Sequence, residues 1–146
     1  MAPTLPSGSY YYDRNQLTNF KSVNYDNEIV SSLAYKKFQQ TQLYSDASLT
    51  VYAGSIFYDI SVLDLPGSVN TSYDSELGTI FFLPDSSNNT ITFTVSLFNP
   101  NTASFLDVGT YDFPITGGSG IYLSAVGHVH VVVNTSGLRT LTFSNP

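Results

Sequence analysis

His128-Val-His130 places two imidazoles two residues apart, and on a strand residues i and i+2 point to the same face. Such a pair can start a metal site, which then needs a third strong ligand. The chain has no cysteine and no further histidine, so that ligand would have to be Asp or Glu, and none is evident from the spacing. His128 and His130 are accordingly expected to hold no metal. Either imidazole could act alone as a general acid or base, its ordinary pKa being about 6.5. The bland alternative is two polar positions facing solvent, a lumen or a subunit contact. Asp59, within Ser55-Ile-Phe-Tyr-Asp-Ile-Ser-Val62, is the second candidate, because a carboxylate in mid-strand must face water or find a partner. Tyr58, Tyr111 and Tyr122 could line an apolar pocket with hydroxyls at its rim, or fill core and subunit contacts. No phosphate loop, nucleotide fingerprint or Ser-His-Asp order accompanies them, and no cofactor is implied.

The elements that must position these residues read as strands. Leu49 to Leu63 is a long extended run bent at Gly54; Gly78 to Leu83 ends at Pro84. In Ile91 to Phe98 the apolar positions Ile91, Phe93, Val95 and Leu97 alternate with Thr92, Thr94 and Ser96. Asp85 to Asn89 and Asn99 to Thr102 read as turns, Val108 to Ile115 and Ile121 to Val133 as strands. Asn134-Thr-Ser-Gly137 forms a tight hairpin into Leu138 to Phe143. Residues 28–44 fit a short helix or a strand, with strand preferred. Residues 1–20, rich in Pro, Ser, Asn and Tyr, read as a flexible N-terminal arm with Tyr10, Tyr11 and Tyr12 as its adhesive part. Residues 21–146 then make one domain of seven or eight strands with short connections: an antiparallel barrel, or a β-sandwich of jelly-roll type.

In Phe113-Pro-Ile-Thr-Gly-Gly-Ser-Gly-Ile-Tyr-Leu-Ser-Ala-Val-Gly127, Pro114 can end a strand, and Gly117, Gly118 and Gly120 permit a sharp turn. At least one of Gly117 and Gly118 should then have positive φ. Pro114, Gly117, Gly118, Ser119, Gly120, Tyr122, Ala125 and Gly127 are spaced in a way that resembles a motif of the dirigent proteins and the related allene oxide cyclase-like barrels. The resemblance extends over about residues 48–134 and is strong over 113–127. It implies a closed eight-stranded barrel and a cofactor-independent reaction in its lumen. Gly54 and Asp59 fit loosely a strand of that family with an aspartate near its end, which implies that Asp59 faces an aromatic lumen and moves a proton on a bound intermediate. Asp112, two residues before Pro114, also stands where dirigent chains carry an acidic residue. Val126 departs from the pattern: plant dirigent chains prefer arginine there, so a cation useful in phenoxy-radical coupling is missing at that position.

Composition narrows the partners. Only 11% of residues are charged, the net charge is −6, and no Lys or Arg occurs between Phe38 and Leu138. A phosphate backbone or an anionic membrane would find little to bind there, so nucleic acid and membrane are not expected as partners. The first ten residues have neither the basic nor the apolar region of a signal peptide, no run is long enough to span a membrane, and the compartment stays open. Asn70, Asn88 and Asn134 lie in Asn-x-Ser/Thr triplets, which in so Asn- and Ser-rich a chain fit chance. The expected function is binding of an apolar small molecule and steering of its cyclisation, isomerisation or stereoselective coupling. The rival is a structural subunit of a virion, filament or surface layer without catalysis; a non-catalytic small-molecule or glycan binder is a third reading. A weakly charged, Tyr-rich surface favours a homo-oligomer, dimer or trimer, with the Tyr10–Tyr12 arm on a neighbour, or an extended assembly.

Overall fold

Val, Ile, Phe, Tyr and Thr dominate the alternating segments, and these side chains pack well on a pleated sheet. The computed structural model describes residues 2–27, 32–64, 72–83, 88–99 and 108–146. Within them nine strands make one antiparallel sheet: β1 (Tyr10–Asp13), β2 (Thr18–Asn27), β3 (Ser32–Tyr44), β4 (Tyr52–Asp64), β5 (Ser72–Phe82), β6 (Thr90–Asn99), β7 (Gly109–Ser119), β8 (His128–Val133) and β9 (Leu138–Ser144). Among the described residues helix is confined to two 3-10 turns, Arg14–Gln16 and Gly120–Tyr122.

Strands β2 to β9 pair in chain order. β1 closes the ring by pairing with β9 along its whole length and bridging to β3 at Tyr11 and Tyr44. β1 and β2 are two halves of one wall position broken by the first 3-10 turn, so the product is a closed eight-stranded barrel rather than a jelly roll. Closure removes all but a three-residue stretch of the sheet edges, which a chain with only 5 Lys and Arg could hardly protect by charge. The expected arm of residues 1–20 is corrected accordingly: Tyr10 and Tyr12 turn inward as part of the wall, Tyr12 fully buried and Tyr10 half-buried against the core. A four-residue strand is too short to show an alternation in sequence.

The segment after β6 also differs from expectation. Pro114 does not end its strand; β7 runs through it to Ser119. Ile115 donates its N–H to Gly127 on the β8 side, so the N–H that Pro114 lacks would have faced β6. The β6–β7 ladder stops at Phe93 and Ile115, so no bond is lost there. Gly117 and Gly118 have no positive φ; the turn falls at Gly120, with φ of 61°. At Gly118 the reason for glycine is proximity instead, since a Cβ would lie 2.3 Å from the Tyr122 carbonyl oxygen and 2.7 Å from that of Thr90. Residues 120–127 are a 3-10 turn and bends, and the strand expected from Ile121 begins only at His128. The bend at Gly54 is present as a register shift between β3 and β4. The hairpin at Asn134–Gly137 forms as expected, Gly137 donating to the Asn134 carbonyl. The turn over Asn99–Thr102, apart from Asn99, and residues 85–87 of the other lie outside the described residues.

Candidate functional site in the lumen

Strand parity decides which side chains enter the barrel. β4 sends Ile56, Tyr58 and Ile60 inward, β6 sends Ile91, Phe93 and Val95, and β8 sends Val129, Val131 and Val133; all are buried. At the end where β1 begins, Tyr10, Phe82, Phe143 and Tyr122 pack ring against ring, with Phe82 5.4 Å from Tyr10 and 5.2 Å from Tyr122 between centroids. Toward the other end a second aromatic group forms. Phe93 meets Tyr58 edge-on at 6.1 Å and stacks on Phe113 at 6.2 Å, and Phe113 stacks on Tyr111 at 6.1 Å. Gly78 makes room for this, because a Cβ there would lie 2.4 Å from the Phe93 ring.

Polar groups are set into this apolar interior. The Tyr12 and Tyr58 hydroxyls are 2.7 Å apart, and Arg139, itself fully buried, donates from Nη1 to the Tyr12 oxygen at 2.7 Å. The guanidinium also lies 5.5 Å from the Tyr12 ring centroid. Glu76 is buried on β5 near enough for its charge to act on Arg139, Tyr12 and Tyr58. Burial holds the Tyr58 phenol well above the ordinary tyrosine range, and Tyr12 pushes it the same way. Burial raises Tyr12 as well, but Arg139 and the Tyr58 hydroxyl pull it back. Burial also works against the charge of Arg139, and Tyr12, Tyr58 and Glu76 together outweigh it, so Arg139 stays a cation. Of the two phenols, Tyr12 is the one in direct contact with the Arg139 cation. The Tyr12 oxygen accepts from Arg139 and shares one hydroxyl hydrogen bond with Tyr58, an arrangement suited to oxygen atoms that carry or acquire negative charge.

The residues singled out by sequence divide between wall and lumen. Tyr58 is in the cluster; Tyr111 and Tyr122 are half-buried on the core, in different aromatic groups. Asp59 does not face the lumen, because Tyr58 beside it does. It lies on the outer wall, with Oδ1 3.2 Å from Lys36 Nζ. His128 and His130 are also on the outer wall, since Val129 and Val131 between and beyond them are the buried residues. His130 Nδ1 is 2.7 Å from Asp112 Oδ1. Among the described residues no group of three or more His, Asp or Glu is placed to hold a metal. Pro114, Gly117, Gly118 and Gly120 shape the β7–β8 connection at the end carrying Tyr122.

Glu76 and Arg139 are not among the site residues singled out in the sequence, although parity marks both, and Tyr12 is there assigned to the arm. Arg139 is in step with Leu141 and Phe143, and Glu76 with Gly78, Ile80 and Phe82. A charged residue in step with an apolar face is the signal.

The fold and site define an antiparallel barrel with an ionisable cluster enclosed in an aromatic interior. No family model matches the chain, and no curated protein matches it. A solved structure of a pyocyanin demethylase shares the fold, with a TM-score of 0.51 and 14% identity over 93% of this chain and 98% of that one.

Proposed function

We propose that this barrel binds an apolar organic molecule carrying one polar oxygen and steers its cyclisation, isomerisation or stereoselective coupling without a cofactor. The observation that carries the reading is the Tyr12–Tyr58–Arg139–Glu76 cluster inside an otherwise apolar lumen. Buried charges rarely stabilise a fold more than well-packed apolar residues would, so Arg139 and Glu76 in the interior point to a use. The ligand oxygen would accept the one tyrosine hydroxyl hydrogen that the Tyr12–Tyr58 bond leaves over, and charge developing on it would be met by Arg139 through the pair. The aromatic walls formed by Phe93, Phe113 and Tyr111 would hold the carbon skeleton in one conformation, so that much of the rate comes from orientation. Membership of the dirigent and allene oxide cyclase-like barrels remains part of this proposal, resting on the residues of 113–127. The chemistry moves from Asp59, which that resemblance favoured, to the tyrosine pair.

A thermal-shift screen of aromatic and polyunsaturated molecules bearing one carbonyl, phenol or carboxylate tests the binding. A ligand at a hundred times its Kd stabilises by about 2.7 kcal/mol, a shift of several degrees. Ligands should raise the melting temperature of the wild type and do so less for Tyr12→Phe. A panel without a single such ligand would count against a binding lumen.

One observation favours the structural-subunit reading. Val51, Leu83, Ile121, Leu123 and Val126 are exposed, and all lie beyond strand ends on the side where β1 begins. Patches of this kind favour association, so we propose a homo-oligomer joined through this end. Sedimentation should show a dimer, trimer or larger array, dispersed by Ile121→Asp with Leu123→Asp; a monomer at high concentration would remove the proposal.

A further inference from the structure

The break in the first wall strand leaves a groove on the side of the barrel. Between the Tyr11–Tyr44 bridge and the Thr18–Gln40 pair, Thr41 to Leu43 of β3 have no neighbour in a ladder on that side. The groove holds about 680 Å³, within the roughly 300–1,000 Å³ that small-molecule sites occupy. Asp13, Gln16 and Thr18 form one lip; Gln40, Gln42 and Tyr44 form the other, with Leu49 at the rim. We propose that this groove binds a neutral oligosaccharide.

The chemistry of the lining selects that ligand. Three primary amides, the Thr18 and Thr41 hydroxyls and one carboxylate offer paired donors and acceptors of the kind that vicinal hydroxyls satisfy. No Lys, Arg or His lines the groove, so an anionic ligand would find no counter-charge, and so much amide surface suits a hydroxylated ligand better than an apolar one. An extended peptide is disfavoured because only three residues of β3 edge are open, too few for strand addition.

Two features give the groove a fixed shape. The Tyr44 hydroxyl donates to Gln42 Oε1 at 2.6 Å, and its ring is braced edge-on by that of Tyr52 at 6.3 Å, which fixes one aromatic ring beside the amides. Leu49 has a φ of 58°, a conformation that is costly for a leucine. It is held by Asp46, whose carboxylate accepts from the N–H groups of Thr50 and Val51 at 2.9 and 2.8 Å and from the Thr50 hydroxyl at 2.5 Å. A groove kept in shape this way loses little freedom on binding.

The test is saturation-transfer NMR on the full chain with neutral tetra- to hexasaccharides of glucan, mannan, galactan, xylan and chitin type. At least one series should receive transfer at about 5 mM sugar, insensitive to added salt. Gln42→Ala and Gln16→Ala, both exposed and away from the lumen, should each weaken that binding roughly tenfold while leaving the melting temperature unchanged. No transfer from any series would overturn the proposal. So would transfer that survives both substitutions, or groove binding restricted to an extended peptide.

Discussion

On the outer wall Asp59 meets Lys36 and Asp112 meets His130, with all four side chains between 31% and 62% exposed. In the lumen Arg139 and Tyr12 are fully buried, and Tyr58 and Glu76 nearly so. Water stands in for a lost partner on the wall, so such pairs are worth about 0–1 kcal/mol. Inside, each group depends on the others, and removing one leaves a charge or a hydroxyl stranded. The comparison shows why the ionisable residues that are conspicuous in a sequence need not be those that a fold encloses.

The largest contrast should come from Arg139→Met. Loss of this cation removes the positive charge that acts on Tyr12 and Glu76 in the interior and should cost about 3–5 kcal/mol in chemical denaturation. The paired change Arg139→Met with Glu76→Leu should recover much of that while abolishing ligand binding. A single Arg139→Met loss below about 1 kcal/mol would mean that the lumen is as wet as the wall.

A smaller effect separates the two regions at high pH. Burial, as the leading cause, raises Tyr12 and Tyr58 above the usual tyrosine value of about 10. As the pH rises past about 10, the unfolded chain releases these protons while the folded chain keeps them. The folded state then binds more protons, and stability falls with further rise in pH. Denaturation midpoints on either side of pH 10 should drop less for a Tyr12→Phe, Tyr58→Phe double variant than for the wild type. Equal losses would contradict burial of the pair. The smallest effect belongs to the wall, where Asp112→Asn should change stability by at most about 1 kcal/mol.

How much of this was legible in the sequence depended on whether parity was followed to its end. The strands β4 to β6 and the last hairpin could be read because Ile56, Tyr58 and Ile60, or Ile91, Phe93 and Val95, keep a strict period of two. The same period assigns Asp59, His128 and His130 to the outer wall, opposite Tyr58, Val129 and Val131. The family resemblance favoured the lumen for Asp59, and local parity was the better guide. The closing strand β1 was hidden for a different reason: its pairing with β9 joins residues more than a hundred positions apart, and nothing local announces it. The glycines at 117, 118 and 120 were legible as necessary but not in their separate roles. Positive φ at Gly120 and close approach at Gly118 look alike as letters.

Tyr58 and Asp59 are adjacent on one strand and face opposite ways, so the pair Tyr58→Phe and Asp59→Asn tests the lumen site most directly. Each change removes or neutralises one polar group and keeps the shape of the side chain. With a ligand found by thermal shift, Tyr58→Phe should lose most of the ligand-induced stabilisation and any turnover, and Asp59→Asn should keep both at wild-type level. Loss in Asp59→Asn with retention in Tyr58→Phe would place the site on the outer wall and contradict the account.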